Sequence, residues 1–144
     1  MKRHLLQRNY IGKELMITRI THITLFVHDQ EKALNFYQQL GFRVHTDAQF
    51  GVMRWLTVCL PEQSDLEIAL MKAETNHEIT LIGKQAADKP LISLESSDCY
   101  ADYERLHKAG VVFVEQPKKQ PWGIGAVCKD LDGNLIYMCQ SQQN

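Results

Sequence analysis

The chain has 144 residues, a formal net charge of −1, 44% hydrophobic and 23% charged residues. These values match ordinary globular usage and fit one domain, or two small modules sharing one core. Near-neutral charge argues against a general nucleic-acid binder, which carries a basic excess, and no apolar run reaches the roughly 18 residues of a membrane helix.

Residues 1–15 carry four basic residues against one acid, with weak apolar spacing. They read as a frayed extension or a short surface helix, with the compact domain running from Met16 to Asn144. Lys2, Arg3 and Arg8 are not followed by the apolar core and cleavage site of a secretory signal. From Ile17 to Val27 a strand is expected, with Ile23, Leu25 and Val27 alternating against His22, Thr24, Phe26 and His28. Asp29 is a candidate N-cap. Ala33, Leu34, Phe36, Tyr37 and Leu40 recur at helical spacing, and Gly41 closes the helix. Strands follow at 42–46, 55–60 and 66–71, with Pro61 and a turn at 62–65 between the last two. The first module is therefore β-α-β-β-β over 17–71. Residues 72–89 read as a polar linker with room for a short helix.

The second module, 90–140, repeats the scheme. A strand is expected at 91–95, a helix from the cap Asp98 to Gly110, and strands at 111–114, 125–129 and 135–140. DLDGN (130–134) supplies the tight turn before the last of these. The halves superpose at an offset of 69. Thr24, Leu25, Asp29 and Gly41 fall on Ser93, Leu94, Asp98 and Gly110, and Val58-Cys59 fall on Val127-Cys128. The expected fold class is α+β: two paired β-α-β-β-β modules forming a cup-shaped curved mixed sheet with helices on the outer face.

Six histidines and 17 acids could supply metal donors. The cysteines at 59, 99, 128 and 139 form no C-x-x-C pair and read as thiols of a reducing cytoplasm. Cys99 follows Asp98 at a helix start, where the dipole would lower a thiol pKa; the plainer reading is a small residue on a helix.

If Ile23, Leu25 and Val27 pack the helix, then His22, Thr24 and Phe26 face the cup, and Leu91, Ser93 and Glu95 line its other half. Such a concavity is the usual place for a small-molecule ligand. The segments ITHITLFVHDQEKALNFYQQLGFRV (20–44), RWLTVCLPEQSDLEIAL (54–70) and GAVCKDLDGNLIYM (125–138) resemble the vicinal oxygen chelate superfamily. That superfamily includes glyoxalase I, bleomycin-resistance proteins and extradiol dioxygenases. The resemblance covers residues 17–140 and implies a homodimer, because modules of this family often complete their sheets across chains.

The resemblance also implies a divalent metal (Mn, Fe, Ni, Zn or Mg) held by residues of the first and fourth strands of each module. His22 and Glu67 match two of those places, whereas Leu91 and Tyr137 occupy the other two. One imidazole and one carboxylate hold such an ion weakly. His28 lies roughly 20 Å along the strand from His22 and cannot share its site. Glu67 faces the cup if Ile68 and Leu70 pack the helix; otherwise it is a surface acid.

Among the remaining candidates, Glu95 is an inner-face acid whose pKa could rise toward a general base's range, or which pairs with Arg54 or Lys129. Phe26, Trp55, Trp122 and Tyr137 are aromatic candidates for the ligand wall. Trp122, framed by Pro121 and Gly123, suggests a lid or a loop plugged onto the core. The leading expectation is a binding protein for a small organic molecule, without the full metal site. The alternative is a metal-dependent lyase, isomerase or dioxygenase using His22 and Glu67 with water or partner-chain ligands. A third is a metal-free enzyme with Glu95 or His22 as base.

Overall fold

The computed structural model describes residues 16–143. The expectations for residues 1–15 fall outside that range. Helix α1 (Gln30–Leu40) starts where the Asp29 carboxylate accepts from the Lys32 N–H at 3.0 Å. It ends at Gly41, whose φ of 112° lets the chain reverse without a Cβ penalty. Helix α3 (Cys99–Lys108) repeats this start, with Asp98 accepting from the Ala101 N–H at 3.1 Å. Between them, α2 (Asn76–Leu81) occupies the linker. Thr75 and Glu78 cap it reciprocally.

Eight strands form two four-stranded mixed sheets among the described residues. The first has the order β1-β4-β3-β2, from β1 (His22–Val27), β2 (Arg43–Phe50), β3 (Met53–Leu60) and β4 (Gln63–Lys72). The second has the order β5-β8-β7-β6, from β5 (Pro90–Glu95), β6 (Phe113–Gln120), β7 (Gly123–Lys129) and β8 (Leu135–Ser141). In each, the first and last strands of the module pair in parallel and the remaining pairs are antiparallel. The repeat seen in sequence is thus a repeat of topology.

One apolar core joins both halves. Leu25, Val27, Leu56, Val58, Ile68 and Leu70 of the first sheet share it with Ala126, Cys128, Ile136 and Met138 of the second. Phe36 and Tyr37 of α1 and Leu106 of α3 are buried in it. The Tyr37 hydroxyl donates to Asp130 Oδ2 at 2.7 Å, which ties the first helix to the DLDGN turn 93 residues later. Arg105 adds a second tie, to the Gln39 carbonyl at 2.7 Å.

Several boundaries differ from the sequence expectation. Residues 17–21 are not strand, because the ladder with β4 begins at His22. The turns are tighter than expected: β3 and β4 are joined by Pro61-Glu62 alone, and β6 and β7 by Pro121-Trp122 alone. β6 lies two residues later than expected and runs on through polar Glu115–Gln120. It is an edge strand with one partner, β7, so it needs no apolar alternation. No helix of the described residues is long and apolar enough to cross a membrane.

Candidate functional site

Each sheet has one face on the core and one face turned away from it. Since Ile68 and Leu70 are in the core, Glu67, Ala69 and Met71 lie on the opposite face of β4. The register adds His22, Thr24 and Phe26 from β1, and Trp55, Thr57 and Cys59 from β3. Glu67 therefore takes the orientation a site requires, directly across the ladder from His22.

Thr24, Ala69, Thr57 and Thr46 make a row of small side chains across all four strands. His22 and Trp55 stand on opposite sides of this row, and their rings meet edge to face with centroids 5.0 Å apart. They close over it, which accounts for Thr57 and Ala69 being 0% exposed on the face away from the core. His22 is thus packed against an aromatic ring, with Nδ1 3.3 Å from the Thr21 hydroxyl.

Beside this aromatic pair is a polar cluster. The buried Thr57 hydroxyl donates to Glu67 Oε1 at 2.6 Å. His45 Nδ1 lies 3.1 Å from the same oxygen and 2.8 Å from the Thr46 hydroxyl. The donor and acceptor roles of that nitrogen depend on the tautomer of the ring. The register between β2 and β3 shifts between Val44 and Thr46, so His45 sits in a β-bulge. Bulges commonly re-aim a side chain in this way. Thr57 and His45 were not among the residues singled out in the sequence. The signal for His45 was present, since it alternates with Val44, but a bulge leaves no composition mark.

A cleft of about 490 Å³ opens at the other end of this face, lined by Thr24, Phe26, Met53, Trp55, Met71 and Lys72 among others. Its lining comes from the first module and the segment after it, so it is not a cup walled by both modules of one chain. Arg54 at its edge is engaged by Asp47, at 2.8 and 2.9 Å, and by Glu31 at 2.6 Å. The guanidinium holds the Asp47 carboxyl below its usual range. Arg54 is not a partner of Glu95.

The second sheet carries the remaining candidates. Trp122 is 56% exposed in its two-residue turn, and its indole N–H donates to the Tyr137 hydroxyl at 2.6 Å. A tight turn is not a lid, so that reading is corrected. Gly125 lies under the Tyr137 ring, where a Cβ would collide with the hydroxyl. Burial holds the Tyr137 hydroxyl above its ordinary pKa, against the lowering by the Trp122 N–H. Glu95 accepts from both the hydroxyl and the N–H of Ser141, the latter at 2.8 Å. Those bonds lower its pKa, the reverse of the rise a general base needs. Cys99 is likewise reversed: it is buried, and burial raises its thiol where the helix start was expected to lower it. His28 lies in the bend after β1, beside Asp132 of the second module.

The donor set does not fit the metal centre that the resemblance implies. Glu67 Oε1 is occupied by Thr57 and His45. Tyr137 pairs with Ser93 as Ala69 pairs with Thr24, so the residue standing where Glu67 stands is Leu135. Among the described residues, no three His, Cys, Asp or Glu side chains gather to hold an ion.

A sequence model described as Glyoxalase/Bleomycin resistance protein/Dioxygenase superfamily matches residues 19–138. An uncharacterized protein of Shewanella frigidimarina is 34% identical over 84% of this chain and 92% of its own. The crystal structure of UcmS2 superposes with a TM-score of 0.77 at 36% identity, covering 88% of this chain and 100% of that one. TnmS3, an antibiotic binding protein from Streptomyces sp. CB03234, superposes with a TM-score of 0.73 at 29% identity, over 90% of this chain and 100% of its own.

Proposed function

Because this chain belongs to the glyoxalase/bleomycin resistance protein/dioxygenase superfamily, we propose that it binds a planar aromatic small molecule on the core-free face of its first sheet. The carrying observation is the cleft at Trp55, whose lining joins the aromatic and thioether groups of Phe26, Trp55, Met53 and Met71 to the polar Thr24 and Lys72. Apolar walls with a few polar groups suit an aromatic ligand. The likeness to an antibiotic binding protein supports a small organic ligand.

In this reading a second copy of the chain completes the cup. The first-sheet face, with Met53 39% and Phe50 61% exposed at the β2–β3 hairpin, is left open by its own second module. The Trp122–Tyr137 pair of the other copy would form the opposite wall.

Trp55 makes the reading testable. Planar aromatic compounds should quench its fluorescence and raise the melting temperature, with or without chelator. Trp55→Ala should weaken binding by tenfold or more, about 1.4 kcal/mol of lost stacking. Unchanged affinity in Trp55→Ala and Phe26→Ala would overturn the assignment. The metal-dependent alternative draws on His22 and Glu67 being register partners. Stoichiometric metal in protein purified without chelator, lost in Glu67→Gln, would favour it instead.

A further inference from the structure

The second sheet carries a groove that the Trp55 cleft does not share. Its volume of about 470 Å³ is that of a small-molecule site, and it lies where the β6–β7 hairpin meets the end of β8. Register builds its floor. Lys119 of β6, Ile124 of β7 and Gln140 of β8 are neighbours across the two ladders, so their side chains share one face. Neighbouring strands stand about 4.8 Å apart, which puts the two ends of this row about 10 Å from each other. Ile124 alternates in step with the core residues Ala126 and Cys128 and packs against them. The row is therefore on the core side of the sheet, opposite the face that carries Tyr137 and Cys139. Gly123, with φ 145°, lets its backbone lie against the Gln140 carbonyl, where a Cβ would collide. The backbone here is satisfied, because the Gln142 N–H donates to the Trp122 carbonyl at 2.9 Å.

Carboxamides dominate the walls. Gln120, Gln140, Gln142 and Gln143 all line the groove, and Lys119 is the one charged side chain among its described lining residues. Gln140 is half-buried and oriented. Its Oε1 accepts from the Cys99 N–H at 3.0 Å, so its NH₂ is the group left to donate. The Ser141 hydroxyl gives its proton to Glu95 and keeps its lone pairs for accepting. No carboxylate lines the groove among the described residues, so a cation has no partner there. Each free carboxamide offers both donors and an acceptor. Such walls around an aliphatic floor match a ring with hydroxyls at its rim and C–H groups on its face.

We propose that this groove binds a neutral saccharide. The C–H face of the sugar rests on Ile124, and its hydroxyls bridge Gln120, Gln140 and Gln142. Gln140 determines specificity, since its oriented NH₂ requires a hydroxyl oxygen at one fixed place. Lys119 donates to a second oxygen at the far end of the row. Binding is wholly non-covalent. It uses neither the face nor the side chains of the Trp55 cleft, so the two sites stand or fall separately.

The probes are glucose, galactose, mannose, maltose and lactose, each added at millimolar concentration to the nitrogen-15-labelled full chain. At least one should shift the side-chain amide signals of Gln120, Gln140 and Gln142 saturably and leave the Trp55 indole signal unmoved. Gln140→Glu keeps an acceptor for the Cys99 N–H and removes the donor. It should weaken binding about fivefold to tenfold, the loss of one hydrogen bond. Gln120→Leu, on the edge strand away from α3, should weaken it by a similar factor and tests the same walls if Gln140→Glu disturbs that helix. Trp55→Ala should leave saccharide affinity unchanged. Saturable binding that survives both glutamine variants overturns the proposal, as do shifts centred on Trp55. Binding of glucuronate where glucose fails also overturns it, because Lys119 would then be holding an anion. The absence of a saturable shift across all five sugars refutes it outright.

Discussion

Replacing Tyr37 by Phe deletes one oxygen and cuts a hydrogen bond between the two modules. The hydroxyl is buried, and its acceptor Asp130 is nearly so. Asp130 Oδ2 keeps the Asn134 amide at 2.8 Å, while Oδ1 keeps the N–H groups of Asp132 and Asn134 at 3.0 and 2.9 Å. The carboxylate is thus not stranded, and the loss should sit at the lower part of the range for a hydrogen bond to a charged group, about 1.5–2 kcal/mol. With a urea m-value of about 1.5–2 kcal/mol/M, the unfolding midpoint falls by about 1 M. A midpoint change below about 0.3 M at constant m would refute the reasoning. The same bond has a pH signature. Burial first, and Asp130 second, raise the Tyr37 pKa well above its usual value. Above about pH 10 the unfolded chain gives up this proton and the folded chain keeps it, so the unfolded state binds fewer protons. Stability should then fall by about 1.4 kcal/mol per pH unit from this residue alone. The alkaline slope of Tyr37→Phe should be shallower by that amount, and equal slopes would count against the buried hydroxyl.

Gly125→Ala should push the Tyr137 ring off its place and break the bond to Trp122. The check is a changed Trp122 emission, read in a Trp55→Phe background. Asp98→Ala removes an N-cap and should cost about 1 kcal/mol in thermal unfolding, whereas Asp98→Asn should cost a few tenths. Of the four thiols, half-buried Cys139 should react with a disulfide reagent at pH 8 in the native protein. Cys59, Cys99 and Cys128 should wait for unfolding; burial followed by Asp130 pushes the Cys128 thiol up to about 11.

Much of the fold was legible because its signals are local. Asp29 and Asp98 cap helices at the positions their spacing indicates, and Gly41 terminates with the positive φ that only a residue without Cβ adopts freely. Strand β1 was readable by alternation because Leu25 and Val27 are buried while Thr24 and Phe26 are more open. Strand β6 was not, because an edge strand of Glu, Gln, Pro and Lys obeys pairing rather than burial. Residues 17–21 failed in the opposite way. Their two isoleucines stand three residues apart, and the strand ladder with β4 begins only at His22.

The site was legible only in part, since its decisive relations are between strands. Sequence offset can align His22 with Leu91, but which oxygen of Glu67 is occupied depends on Thr57 and His45, 10 and 22 residues away. The resemblance puts the fourth ligand place at Tyr137, whereas strand register compares Glu67 with a different residue. An irregularity between Pro90 and Ile92 shifts β5 against β8, so that Tyr137 sits opposite Ser93 and Leu135 takes the place equivalent to Glu67. In the first sheet the bulge at Val44–Thr46 puts His45 and Thr46 together beside Glu67. The second of these irregularities brings an imidazole to Glu67 that the sequence offset does not show. Register, which no single strand's composition encodes, is what places Thr57 and His45 around Glu67.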